Sequence, residues 1–141
     1  MKTVLITGAG GGIGKKTSLY FAKNGWTVIA TLLHTNEAED LKIIPNIFCY
    51  EIDVTSSESI ALAKEKILQN HPKIDAIINN AGMGYRSFVE LSEDEKIDTI
   101  VNVNWLGVVK ICRAFIPVFR EQKLGQFINI TSVAALVNLP L

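Results

Sequence analysis

Short apolar runs alternate with stretches of helical periodicity along the whole chain, the pattern of βαβ units around a parallel sheet. The runs Val4 to Thr7, Thr27 to Leu32, Ile47 to Ile52, Ile74 to Asn79 and Phe127 to Ile130 are rich in Val, Ile or aromatic residues and bounded by turn or charged residues, which predicts five strands. Between them, Thr55-Ser-Ser-Glu58 and Ser92-Glu-Asp-Glu95 have the form of capping boxes, with apolar residues at helical intervals after each. Gly25 ends the first predicted helix as a C′ residue, and a helix from about Asn104 to Lys123 contains Pro117, which predicts a kink or one unpaired carbonyl. Right-handed crossovers and one reversal of strand order then give an α/β, doubly wound parallel sheet of order 3-2-1-4-5. No repeat or linker divides residues 1–141, so a single domain is expected. Ligands on such sheets lie at the carboxyl ends of the strands, at the switch point between strands 1 and 4.

Composition narrows the function classes. The chain is 48% hydrophobic, as a soluble globular domain is, and its fourteen basic residues balance fourteen acidic ones. Without clustered Lys and Arg, nucleic acid is not an expected partner. Cys49 and Cys112 form no Cys-x-x-Cys pair and have no His-rich neighbourhood, since the histidines are His34 and His71, so both read as reduced core residues and no metal site is expected. The apolar run that opens the chain is too short for a signal peptide or a membrane span, and a cytoplasmic protein is the expectation.

After the first strand comes Thr7-Gly-Ala-Gly-Gly-Gly-Ile-Gly14, leading into a helix that begins near Ile13. Such a loop lets the backbone approach a pyrophosphate, whose charge then sits among the unpaired N–H groups at the positive end of the helix dipole. A P-loop ending at Gly14-Lys15 would need glycine at Ala9 and Ser or Thr at Lys16, so a nucleotide triphosphatase is disfavoured. A G-x-G-x-x-G starting at Gly8 would need glycine at Ile13. What remains is G-x-x-x-G-x-G, carried by Gly8, Gly12 and Gly14 and preceded by threonine.

With this loop the sequence resembles the short-chain dehydrogenases/reductases, whose cofactor loop has the form T-G-x-x-x-G-[IL]-G with Ile13 in the branched position. Three further segments agree in order. Asp53-Val54 matches the family's acidic residue against the adenine amino group, and Asn79-Asn80-Ala81-Gly82 matches the segment beside the cofactor ribose that steadies the central sheet. Asn104, in Val103-Asn-Trp-Leu-Gly107, matches the helix asparagine that holds a water in the family's proton relay. The resemblance runs from Lys2 to Pro140 and implies a Rossmann-like fold and a dinucleotide held by Gly8, Gly12, Ile13, Gly14, Leu32, Asp53, Val54, Asn80, Ala81 and Gly82. Whether that is NAD or NADP stays open. The end of strand 2, Ala30-Thr-Leu-Leu-His34, has neither an acid for ribose hydroxyls nor an arginine for a 2′-phosphate.

Ser132 follows strand 5 where the family places the serine that hydrogen-bonds the substrate carbonyl or hydroxyl, so Ser132 and Asn104 are the candidate catalytic residues. The resemblance further implies a tyrosine and a lysine in the form Y-x-x-x-K about a dozen residues on. Tyr20, Tyr50 and Tyr85 all precede Ser132, and the positions four after them are Asn24, Val54 and Val89. The expectation is therefore the cofactor-binding part of an NAD(P)-dependent oxidoreductase acting on an alcohol or carbonyl, cut short before strand 6 and inactive alone. A catalytically inactive module that binds dinucleotide or pairs with another subunit is the alternative. The resemblance also implies a homo-oligomer, with Trp105, Val108, Val109, Ile111, Cys112 and Phe115 of the long helix supplying apolar surface.

Overall fold

The inner apolar runs become strands because side chains on both of their faces find a layer of helices to pack against, as in parallel sheets generally. The computed structural model of the protein describes residues 1–34 and 38–137. In chain order the elements are β1 (Thr3–Thr7), α1 (Gly12–Lys23), β2 (Thr27–Leu32), α2 (Glu39–Lys42), β3 (Ile47–Glu51), α3 (Ser57–Asn70), β4 (Ala76–Asn79), α4 (Asp94–Val101), α5 (Gly107–Gln122) and β5 (Gln126–Asn129). The strands form one parallel sheet of order β3-β2-β1-β4-β5, the order expected from right-handed crossovers and one reversal. Alternate residues divide the core. Val4, Ile6, Val28, Ala30 and Leu32 pack with Ala22, Ala38 and Leu41 on the α1–α2 side. Leu5, Ile29 and Ile77 pack with Ile60, Ile67, Ile111 and Phe115 on the α3–α5 side.

Several boundaries differ from the sequence pattern for local reasons. β4 starts at Ala76 rather than Ile74, because the Gln122 side chain takes both backbone groups of Ile74: Oε1 accepts its N–H at 3.1 Å and Nε2 donates to its carbonyl at 2.9 Å. The first capping box is displaced by one residue. Asp53 Oδ1 accepts from both the N–H and the hydroxyl of Thr55, at 2.8 and 2.7 Å, so the N-cap falls to Ser56, whose Oγ accepts from Ser59 N at 3.2 Å. The second does not form. Ser92 Oγ donates to the Phe88 carbonyl at 2.9 Å, and α4 begins after Glu93 with no side-chain cap.

The predicted helix from about Asn104 is part of a longer one. α4 runs through a π-helical turn, Asn102–Leu106, directly into α5, giving a 29-residue helix from Asp94 to Gln122 that passes Pro117 without a break. By length and mean hydropathy (1.3 over its most apolar 18 residues) it is apolar enough to cross a membrane; here it lies on the sheet, with Ile111, Phe115 and Phe119 in the core. Ile111 and Phe115 are fully buried, so they are core and not the free surface the sequence suggested; the outward apolar residues are Ile97, Val101, Trp105, Val109 and Ile116. Gly25 has φ +79 and ends α1 as expected, with Trp26 N reaching back to the Phe21 carbonyl at 3.1 Å.

Candidate functional site

Thr7 ends β1 with its side chain in the middle of the sheet's carboxyl edge. Its hydroxyl accepts the N–H of Asn80 and of Ala81, both at 3.0 Å, while Asn80 Nδ2 donates to the carbonyls of Thr7 at 2.9 Å and Gly8 at 3.1 Å. The glycine loop and the Asn-Asn-Ala-Gly segment are thus one hydrogen-bonded unit across the switch point. Two glycines make that approach possible. Gly8 has φ +65, and a Cβ there would lie 2.7 Å from Ala81 Cα; a Cβ on Gly14 would collide with the Gly8 carbonyl oxygen and the Asn80 amide. Gly12 has φ +52 but open space around it. A side chain at Gly14 therefore disrupts the loop itself, before any ligand is considered.

Beyond this unit, Gly11, Gly12 and Ile13 are exposed, Ile13 by 64%. Gly11 caps the 12-residue α1 without a side chain, and no acid stands in the first turn, so the positive end of the helix dipole faces outward from an uncapped amide cradle. The donor set and the close-packed glycines fit a pyrophosphate. Lys15 does not join them: its ammonium is 2.7 Å from Asp40 Oδ2, and that lysine holds the Asp40 carboxyl below the usual carboxylate range.

At the end of β3, Val54 is buried and Asp53 is half-buried at the head of the turn into α3. Asp53 Oδ1 is occupied by Thr55, which leaves Oδ2 outside that turn's hydrogen bonds. Leu32 corrects the sequence reading. Its side chain is 2% exposed in the α1–α2 core and its carbonyl takes Ile52 N–H at 2.8 Å, so Leu33, 54% exposed, and exposed His34 form the surface at the end of β2.

Asn104 lies in the π-helical turn, and its amide grips the backbone of Met83 at both ends: Oδ1 accepts from Met83 N at 2.9 Å and Nδ2 donates to Met83 O at 2.8 Å. This holds the chain just after Gly82, where a Cβ would sit 3.4 Å from Asn104 Oδ1. Each end of the amide retains one further valence. Ser132 leaves β5 beside β4 and N-caps a short 3₁₀ turn, Val133–Ala135; its Oγ accepts from Ala134 N at 3.1 Å, leaving the hydroxyl proton to donate. The structure thus brings Gly8, Gly12, Ile13, Gly14, Asn80, Ala81 and Gly82 to the ends of β1 and β4, with Asn104 alongside and Ser132 at the end of the neighbouring strand. Among the described residues no group of His, Cys, Asp and Glu could hold a metal ion.

Two residues were missed as site builders. Thr7 entered only as the residue before the glycines, and Asn129 not at all. Asn129 is paired in register with Asn79, whose Nδ2 donates to Asn129 Oδ1 at 2.9 Å, and this side-chain bridge joins the two strands three residues before Ser132. The available signal was an asparagine closing each of two adjacent strands. Asn79 Nδ2 also points at Cys112 Sγ, 3.6 Å away, and burial raises the pKa of that thiol as it does that of Cys49. Both cysteines are free and half-buried.

A parallel sheet of this order, with a glycine loop knitted to the strand across the switch point, defines a nucleotide-binding α/β protein. The chain belongs to the short chain dehydrogenase family, whose model matches residues 2–141. It is 35% identical over 137 residues to a 3-ketodihydrosphingosine reductase of Bacteroides thetaiotaomicron, covering 97% of this chain and 49% of that protein. Among solved structures it resembles ElxO with NADP bound (TM-score 0.90, 28% identity, 99% of this chain and 58% of that one). It also resembles a Brucella melitensis 3-ketoacyl-(acyl-carrier-protein) reductase complexed with NADH (TM-score 0.89, 33% identity, 95% and 58%). The chain spans about half the length of the proteins it matches.

Proposed function

We propose that the chain is the dinucleotide-binding portion of an NAD(P)-dependent oxidoreductase that interconverts an alcohol and a carbonyl. The observation that carries this reading is the Thr7–Asn80 unit: two close-packed glycines and an outward, uncapped helix N-terminus build a pyrophosphate cradle at the carboxyl edge of the sheet. Gly8, Gly12, Ile13 and Gly14 surround the pyrophosphate, Asp53 Oδ2 and Val54 meet the adenine, and Asn80, Ala81 and Gly82 border the ribose. Both NAD and NADP are compatible with Leu33 and His34 at the end of β2. When bound, the nicotinamide supplies the hydride.

The chain's own residues then orient the substrate and hold its proton path. Ser132 donates its hydroxyl proton to the substrate oxygen, and Asn104 keeps the loop after Gly82 in place while its remaining N–H and lone pair serve a water. Neither is an acid near neutrality. Reduction of a carbonyl creates an alkoxide that must be protonated, a step for which a positioned acid is worth about 10² to 10⁴-fold. A tyrosine has an ordinary pKa near 10 and needs a neighbouring cation for that work, and none of Tyr20, Tyr50 and Tyr85 is followed by lysine at the fourth position. We therefore expect the 141 residues alone to oxidise NADH or NADPH with carbonyl compounds no faster than the uncatalysed rate. Joining them to a segment that carries Tyr-x-x-x-Lys should create activity, and Ser132→Ala should remove most of it; ketone reduction by the 141 residues that Ser132→Ala leaves unchanged would overturn the assignment. We further propose a cytoplasmic homo-oligomer assembled through the outward face of the long helix, at Ile97, Val101, Trp105, Val109 and Ile116.

A further inference from the structure

The adenine-side turn, Asp53 to Thr55, leaves the sheet at the end of β3, yet its contacts reach α5 on the helical layer. Gly107 is the first residue of α5, with ordinary helical dihedrals, so its lack of a side chain answers a packing need and not a backbone one. A Cβ there would lie 2.9 Å from Val54 Cγ2 and 3.1 Å from Val54 Cβ. One turn further on, the half-buried Lys110 donates from Nζ to the Thr55 carbonyl at 2.5 Å. Among the described residues its ammonium has no carboxylate within ion-pair distance, and it is the Thr55 carbonyl that it holds. Residues three apart on a helix are neighbours on its surface. The same helix, one turn earlier, holds the Met83 backbone through Asn104.

We propose that Gly107 and Lys110 are positioning residues for the adenosine half of the dinucleotide site: with Asn104 they make the long helix a brace that holds the loop after β3 and the loop after β4 at a fixed separation. Gly107 lets the helix close on Val54, and Lys110 pins the carbonyl that follows it. Thr55 in turn bonds Asp53 Oδ1 through its own N–H and hydroxyl, so the lysine's hold passes to the carboxylate whose other oxygen meets the adenine amino group. This inference rests on the dinucleotide reading above.

The test compares the chain with Lys110→Met, which keeps most of the apolar stem, Lys110→Arg, which keeps the charge, and Gly107→Ala. ADP probes the pyrophosphate and adenine sites together; inorganic pyrophosphate probes the glycine loop alone. Lys110→Met should weaken ADP about tenfold, the scale of one charge-assisted hydrogen bond, while pyrophosphate binding stays within about twofold. Lys110→Arg should recover most of the ADP affinity. Equal weakening of both ligands, or unchanged ADP binding, would overturn the proposal. Amide exchange without ligand keeps the question answerable if Gly107→Ala fails to fold. In Lys110→Met the Val54 and Thr55 amides should exchange faster while β1 and β4 amides do not, and unchanged exchange at Val54 and Thr55 would refute the brace. If the unsubstituted chain binds neither ADP nor pyrophosphate, the dinucleotide reading fails and the brace loses its function with it, whatever the exchange shows.

Discussion

Gly12 and Gly14 stand two residues apart in one loop and are glycine for different reasons. Gly12 has φ +52 in open space, so alanine there carries only the backbone penalty of the left-handed region, about 1 kcal/mol. Gly14 is enclosed by the Gly8 carbonyl and the Asn80 amide, so alanine there must push apart the unit that Thr7 assembles. Chemical denaturation should show Gly14→Ala losing roughly 1–3 kcal/mol, the cost of overpacking, together with any dinucleotide affinity. Gly12→Ala should lose less stability; the reverse order would contradict the packing argument. His71 is a second residue with a readable consequence. It ends α3 with its ring 4.6 Å from that of Phe48 and its Nε2 buried without a partner, and burial lowers its pKa below the ordinary histidine value. The unfolded chain therefore binds this proton more readily than the native one. Its contribution to stability is complete above the ordinary value of about 6.5 and is lost as pH falls through that value towards the lowered one. Thermal melts between pH 7.5 and pH 6, a range flagged by that ordinary value of about 6.5, should show Tm falling, with a smaller fall in His71→Phe. An equal fall in both would assign the effect elsewhere.

Among the elements, strands were more legible than helix ends. Continuous runs of Val and Ile name a strand buried on both faces, and β2 falls on Thr27–Leu32 as its run predicts. Counting likewise isolated the glycine pattern Gly8, Gly12 and Gly14, whereas Asn80 and Ser132 were singled out only through the family resemblance. Competition between polar partners was not visible: nothing in Thr55-Ser-Ser-Glu58 says that Asp53 will capture Thr55 and pass the cap to Ser56. The π-helical turn was hidden too, because its wider winding shifts the phase of the apolar pattern and makes one long helix read as two. Leu32 was misread because alternation places it in the core and turns Leu33 outward, a distinction that depends on where the strand ends. The C-terminal end of α5 gives a prediction of its own. Lys123 closes it at φ +55, a conformation that costs most L-residues about 1–2 kcal/mol and glycine much less. Lys123→Gly should therefore raise stability by about 0.5–1 kcal/mol in denaturant melts; a loss of stability would mean that the lysine side chain makes a compensating contact.

For the whole molecule, two features share one sheet. The glycine loop, Asp53 to Thr55 and Asn80 to Gly82 lie at the carboxyl ends of β1, β3 and β4, whereas the outer strand β5 leads through exposed Ile128 and Ile130 to exposed Val133, and the long helix turns Trp105 and its neighbours outward from the opposite face of the sheet. A surface so apolar is expected to associate. Light scattering should give a mass above that of the monomer, and Trp105→Glu should lower it; a clean monomer at high concentration would remove the proposed helix interface. The central claim concerns the carboxyl ends of the strands and has a more direct test. Amide chemical shifts followed by NMR during titration with NAD and with NADP, to about 5 mM so that weak binding also registers, report each residue separately. Saturable shifts are predicted at Gly8 to Gly14, Asp53 to Thr55 and Asn80 to Gly82, with β3 and the far face of α3 unmoved. No shifts with either dinucleotide on a folded sample, or shifts confined to residues away from the carboxyl ends of β1, β3 and β4, would contradict the account.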